Sequence, residues 1–242
     1  MSFSLNPMKK ATGEIARANS RTIPSGALSP EIISLAAAHL AKADPHLAEL
    51  LKHEGPPPLW GRRPGFATLI KIILEQQVSL SSAASMYRWL KQNVAPFNPA
   101  RFVDLGEGHL RSLGVTRQKA AYCVQLSRSI LNRELDLRRL ARMDDLEARA
   151  ELMRLKGIGT WSADIYLLMA LRRPDIWPSG DVALITTVTK LKQLPVRPDA
   201  QDLLRIAEAW RPYRAVAARM LWQHYLNQRL RRTRLDAERG DV

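Results

Sequence analysis

Cysteine is nearly missing from the 242 residues; Cys123 stands alone. No internal disulfide can form, and a metal cluster held by four thiolates is excluded. No apolar run approaches the ~20 residues of a membrane span, and the opening MSFSLNPMKKATGEIARANSRTIPSG lacks the apolar core of a signal peptide. These absences lead us to expect a soluble intracellular protein with no membrane partner. Acidic residues are also scarce, 23 against 37 Lys and Arg, for a formal charge of +14. That excess suits a polyanionic partner, nucleic acid above all, although an Arg-rich solvated surface has the same composition. Alternating apolar and polar runs bounded by turn signals are absent too, so no sheet is expected. At this length the chain fits one large domain or two lobes sharing a core, and 46% hydrophobic residues provide ample core material.

What is present reads as helix from Ser29 onward. SPEIISLAAAHLAKA offers Ser29 as N-cap, Pro30 at the first helical position and Glu31 in the first turn. HEGPPPLWGRRPG, residues 53–65, is a connector. FATLIKIILEQQVS places Phe66, Leu69, Ile70, Ile73 and Leu74 on one helical face and stops near Gln76 and Gln77. A helix then starts through Ser81 and Ser82, and LGEGHLRSLGVTRQKAAYCVQLSRSI reads as helix, glycine turn, helix. In DDLEARAELMRL, Asp144 and Glu147 have capping-box spacing, and Leu146, Ala150 and Met153 form the apolar stripe. VALITTV is β-branched, yet helix fits its length better. The fold class is all-α, with about ten helices. Residues 1–27, basic with Glu14 as the single acid, suit a transit peptide or a flexible tail that helps hold nucleic acid.

One stretch is unusual. LKGIGTWSADIYLLMAL, residues 155–171, puts two glycines at the mouth of an apolar helix. With the helix before it, the stretch makes a helix-hairpin-helix over 144–172. Gly157 and Gly159 can turn the chain and offer their amides to a phosphate at the positive end of the next helix, with Ile158 anchoring the turn. An ordinary glycine cap before a buried helix would read the same way. Carbonyls of Leu155 and Ile158 are candidates to hold a monovalent cation. The chain returns through DIWPSGD to Asp181, 22 residues after Gly159, at the start of another helix. Alone, Asp181 is an N-cap.

Together, LKGIGTWSAD and RPDIWPSGDVAL resemble the signature of the helix-hairpin-helix (HhH-GPD) base-excision DNA glycosylases. ILEQQVSLSSA, LGVTRQKA and WRPYRAVAARMLW are similar to further family segments, so the likeness spans roughly residues 45–226. It is greatest for the alkylated-base branch, 3-methyladenine DNA glycosylase II. The resemblance implies a two-lobed helical fold with the DNA-binding and active-site cleft between lobes. One lobe would combine 28–61 with 174–242; the other would be 62–173. It implies Asp181 as the catalytic carboxylate, and Trp161, Trp222 and Tyr166 around the extruded base. Gly157, Gly159 and Thr160 would meet the DNA backbone, and Lys156 phosphate or solvent; Lys119 and Arg214 are further phosphate candidates that otherwise read as solvated surface charges. Gln77 would be the wedge that fills the gap, with Val78 and Gln76 beside it. Arg229, Arg231, Arg232 and Arg234 suit a weak nonspecific grip.

Trp161 stands where lyase-competent relatives carry a lysine, and an indole cannot form a Schiff base. The resemblance therefore implies a monofunctional enzyme that removes alkylated purines from double-stranded damaged DNA and leaves an abasic site. No cofactor is expected, the single Cys123 excludes the four-cysteine iron–sulfur cluster of some relatives, monomer is the default state, and the location would be the cytoplasm (nucleoid) of a bacterium or the nucleus of a eukaryote. Three other readings remain: a non-catalytic helix-hairpin-helix module that binds DNA or abasic sites, a glycosylase for deaminated or oxidised bases, and a helical interaction protein.

Overall fold

The computed structural model describes residues 26–240, with side chains described through Arg234. Of the basic tail expected at 1–27, residues 1–25 lie outside the described residues. Helices begin where a short polar side chain can take up the first unpaired amides. Ser29 accepts from the Ile32 amide at 3.3 Å and opens α1 (Pro30–Ala43). Asp44 accepts from the His46 amide at 2.9 Å and opens α2 (Pro45–Glu54). After the connector come α3 (Phe66–Glu75), α4 (Leu80–Asn93) capped by Ser79, α5 (Pro99–Ser112) by Asn98, and α6 (Arg117–Leu131) by Thr116. Asp136 opens α7 (Leu137–Leu140) and Asp144 opens α8 (Asp145–Met153). Then follow α9 (Thr160–Ile165), a π-helical turn at Tyr166–Ala170, and α10 (Val182–Leu191). α11 (Ala200–Glu208), opened by an Asp199–Asp202 capping box, and α12 (Arg214–Gly240) follow. Among the described residues there is no strand, and no helix is long and apolar enough to cross a membrane.

Helices α1, α2, α10 and α12 pack on one another, while α3 gathers α4, α6, α9 and the π turn. One apolar core runs through both groups. Two departures from the sequence expectations matter. The apolar helix after the hairpin is not continuous, because α geometry ends at Ile165 and the backbone widens into the π turn. Leu168 and Met169 lie in the last turn, where helical carbonyls lack an intrahelical donor, and other segments take them up: Leu168 accepts from Arg219 Nη2 at 2.8 Å and Met169 from the Arg62 amide at 2.9 Å. The stripe on α8 is also corrected. Leu146 is 73% exposed and Met153 43%, while Ala148 and Leu152 face the core. Tertiary packing uses the neighbouring face, and Arg149 beside it donates to Asp164 at 2.6 Å.

Several buried polar groups are tied off, though Trp177 Nε1 and Gln125 Oε1 are buried without a partner among the described residues. Arg219, fully buried, gives its guanidinium to the carbonyls of Leu59, Ala215 and Leu168. Burial pushes the Cys123 thiol up to about 12, which keeps it in the unreactive thiol form. Asp44 joins distant parts of the chain: its Oδ2 accepts from Lys192 Nζ and Trp210 Nε1, each at 2.9 Å. Burial alone would raise this carboxyl, but Lys192 and Trp210 outweigh it and hold it below the ordinary value. The resulting stability is present above the usual carboxylate range and lost as pH falls through the depressed value. Asp44→Ala leaves a cation and an indole N–H facing a void, so we expect a loss of about 3 kcal/mol and a melting temperature lower by roughly 6–12 °C at neutral pH. Thermal unfolding at pH 7 and pH 3 checks it: the gap between parent and variant narrows in acid.

Candidate active site

The loop between the π turn and α10 is braced before it presents its acid. Ile176 and Trp177 are buried, Trp177 with its ring 5.3 Å from that of Trp210. Asp175 accepts from Arg214 Nε at 2.9 Å and Nη2 at 3.0 Å, and from Arg211 Nη1 at 2.7 Å. Arg214 also reaches Glu208 at 3.1 Å and is nearly buried. Its expected place on a phosphate is corrected: it is spent on holding this loop.

Asp181 then caps α10. Its Oδ1 accepts from the amides of Ala183 at 2.9 Å and Leu184 at 3.0 Å. Two indoles complete the set. Trp222 Nε1 of α12 donates to Oδ1 at 3.1 Å, and Trp161 Nε1 of α9 donates to Oδ2 at 2.9 Å. The two tryptophans expected to floor a pocket thus turn their N–H edges to the acid. Trp222 is 8% exposed, so little of its ring is open to a ligand, whereas Trp161 is half-buried. Oδ1 accepts three bonds and Oδ2 one, so Oδ2 retains acceptor capacity. Tyr166 does not join them. It is fully buried in the π turn with its hydroxyl accepting from the Gly65 amide at 3.0 Å, which removes it from any pocket.

At the hairpin the two glycines have different reasons. Gly157 has φ +90°, and a Cβ there would lie 2.2 Å from the Tyr122 ring of α6. Gly159 has φ −90° and open space beside it. It caps α9, and among the described residues no protein acceptor meets its amide. Ile158 is buried and anchors the turn, as expected. The Leu155 carbonyl accepts from the Ile158 amide at 3.0 Å, so one of the two carbonyls considered for a cation already closes the turn. Lys156 and Thr160 are exposed; the Thr160 hydroxyl lies 3.8 Å from Met153 Sδ. Among the described residues no group of three or more His, Cys, Asp or Glu is placed to hold a metal ion.

The segment between α3 and α4 projects. Gln77 has φ +55° and is exposed, as are Val78 at 46% and Leu80 at 63%. Lys119 is corrected from its expected phosphate: its Nζ donates to the Leu74 carbonyl at 2.8 Å and caps the end of α3. Burial lowers its pKa. The residue that sequence reasoning undervalued is Gln76, whose Nε2 donates to the Gly157 carbonyl at 2.7 Å and the Ser162 hydroxyl at 2.9 Å. Its position beside the projecting segment was the only signal in the sequence. The ring of Tyr122 over Gly157 left none beyond sharing a face of α6 with Lys119.

The family model described as HhH-GPD superfamily base excision DNA repair protein matches residues 70–212. The chain is 29% identical over 166 residues to the putative DNA-3-methyladenine glycosylase YfjP of Bacillus subtilis, covering 64% of this chain and 57% of that protein. It is 24% identical over 192 residues to DNA-3-methyladenine glycosylase 1 of Schizosaccharomyces pombe, covering 76% and 84%. It therefore spans little more than half the length of the B. subtilis relative. Among solved structures, S. pombe 3-methyladenine DNA glycosylase Mag1 in complex with abasic DNA aligns with a TM-score of 0.69 at 23% identity, over 78% of this chain and 95% of that one. A DNA-3-methyladenine glycosidase from Bacillus halodurans aligns with a TM-score of 0.68 at 26% identity, over 83% and 91%.

The two glycines separate in stability. Gly157→Ala forces a positive φ and a clash with Tyr122, and should cost about 2–4 kcal/mol. Gly159→Ala meets open space and should change stability by less than about 0.5 kcal/mol. Urea unfolding of the two variants measures both.

Proposed function

Because this chain belongs to the HhH-GPD superfamily of base excision DNA repair proteins, we propose that it is a monofunctional DNA glycosylase that hydrolyses the N-glycosidic bond of alkylated purines in duplex DNA. The observation that carries the reading is the convergence of the Trp161 and Trp222 indoles on the Asp181 carboxylate. A module that only grips phosphate has no use for an acid held from two helices besides its own. One copy of the chain carries every residue of the arrangement, so no second subunit is needed.

A base inside a duplex must be rotated out of the stack, at a cost of a few kcal/mol. The exposed Gln77–Val78 tip would fill the gap it leaves. The half-buried ring of Trp161 supplies a face on which the base can stack, and an electron-poor alkylated purine adds a cation–π attraction. Such a purine leaves without strong acid catalysis. Positive charge then builds on the sugar, and Asp181 would stabilise it. Oδ2, with acceptor capacity to spare, is the oxygen that would orient the attacking water and take its proton. The four N–H donors fix the carboxylate before the reaction begins, so little reorganisation remains for the transition state. Trp161 also fills the place where a lysine could attack the sugar, and its N–H is already committed to Asp181. The amides of Gly159 and Thr160, at the positive end of α9, would hold a phosphate beside the lesion.

Duplexes carrying 3-methyladenine, 7-methylguanine, hypoxanthine or 8-oxoguanine, treated with and without alkali after incubation, test the class. Breaks that appear only after alkali, and on the alkylated duplexes, fit the proposal; breaks without alkali overturn the monofunctional part. A charge pair at about 4 Å is worth roughly 4 kcal/mol, or about 10³ in rate. Asp181→Asn should therefore lose about three orders of magnitude in base release while keeping affinity for an abasic duplex; release within tenfold of the parent removes Asp181 from this role. If three to five phosphates are neutralised, log Kd against log salt concentration should have a slope of magnitude about 3 to 4.5, weakening with salt. A slope near zero would mean that the positive excess has nothing to do with DNA.

A further inference from the structure

Two parts of the surface have to act together in the reading above: the exposed tip at 77–80 and the hairpin at 155–160. They are far apart in sequence and belong to different helices. One side chain joins them. Gln76 follows the last residue of α3, and its own backbone is extended, φ −62° and ψ 127°. Both protons of its Nε2 are used across the gap, on the Gly157 carbonyl at 2.7 Å and on the Ser162 hydroxyl at 2.9 Å. The next residue, Gln77, takes φ +55°, a conformation uncommon for a residue with a Cβ and kept only when the surroundings impose it. From the other side, Lys119 Nζ holds the Leu74 carbonyl at 2.8 Å, and Tyr122, one turn further along the same helix, covers Gly157. The end of α3, the start of α9 and one face of α6 therefore meet under the tip.

We propose that Gln76 is a positioning residue that locks the tip to the hairpin, so that the segment entering the duplex and the segment holding the strand move as one body. This rests on the glycosylase reading for its consequence in catalysis. The physical logic is pre-organisation: with the amide anchored, Gln77 is aimed before DNA arrives, and its left-handed backbone need not be reached during base extrusion. Without the anchor, Gln77 relaxes towards ordinary backbone angles, and the tip must be ordered at the moment of insertion. Binding to undamaged duplex, which uses the hairpin amides and the basic surface, depends little on this. Extrusion depends on it strongly.

The test uses the full chain with Gln76→Met, which keeps the length of the side chain and removes both donors, and Ser162→Ala, which removes one acceptor and leaves the tip untouched. Two duplexes carry 2-aminopurine next to either 7-methylguanine or a tetrahydrofuran abasic analogue, so that its fluorescence reports unstacking. Gln76→Met should slow single-turnover base release by about 30- to 100-fold and suppress the fluorescence rise on both duplexes, with undamaged-duplex Kd changed by less than about threefold. Ser162→Ala should fall between, and the double variant should be no worse than Gln76→Met, because the two act through one link. Melting curves fix the folded fraction; if Gln76→Met does not fold, Ser162→Ala carries the test. Release and fluorescence within about threefold of the parent overturn the proposal, as does a loss shared equally by undamaged-duplex binding, the mark of a merely damaged hairpin. If the parent releases no base, the proposed activity fails, while the abasic-analogue fluorescence still shows whether Gln76 couples tip and hairpin.

Discussion

A carboxylate held from three directions is the constraint around which this molecule is arranged. The amides of α10 fix Asp181 from its own helix, Trp161 reaches it from α9 and Trp222 from α12. For those indoles to meet, α9 must follow the hairpin at once, and α12 must lie along α10. Each demand is answered by a specific tie. Arg219 and the Arg62 amide occupy the end carbonyls of the π turn, which fastens α12 and the connector to the hairpin side. Arg214 and Arg211 grip Asp175 and set the loop that ends at Asp181. Arg219 and Arg214 are buried, and removing either would leave its partners short of a donor in the interior. The resulting geometry is that of an acid whose direction cannot drift.

Much of this could be read from the chain. Caps such as Ser29 and Asp144 are local: a short side chain and the amides it accepts from are neighbours in sequence, so their effect is visible there. The all-α class followed from the same signals, and the family from the joint spacing of the glycines, Asp181 and the closing helix. The α8 stripe failed because Leu146, Ala150 and Met153 satisfy helical periodicity as well as the face that is really buried, that of Ala148 and Leu152, and only partners distant in sequence distinguish the two. Charge misled for a related reason. Arg214 and Lys119 look like surface cations until Asp175, Glu208 and the Leu74 carbonyl are brought to them from far along the chain.

The tryptophans are the instructive middle case. An aromatic pair at those positions was legible; the use of their edges was not. An indole offers an apolar face and one polar proton, and only the fold decides which of the two a neighbour meets. Trp222 spends nearly its whole ring on the core and keeps its proton for Asp181. Trp161 does the same with its proton, but the residue is only half-buried.

The ring of Tyr122 resting on Gly157 has a wider bearing. The sharpest bend in the hairpin takes its shape from a helix outside the motif, and its carbonyl is claimed by a residue from yet another. A helix-hairpin-helix is commonly regarded as a portable cassette. In this chain it is closer to a keystone: lifted out and grafted onto a foreign scaffold, the same residues would keep their glycines and lose the neighbours that tell those glycines where to turn.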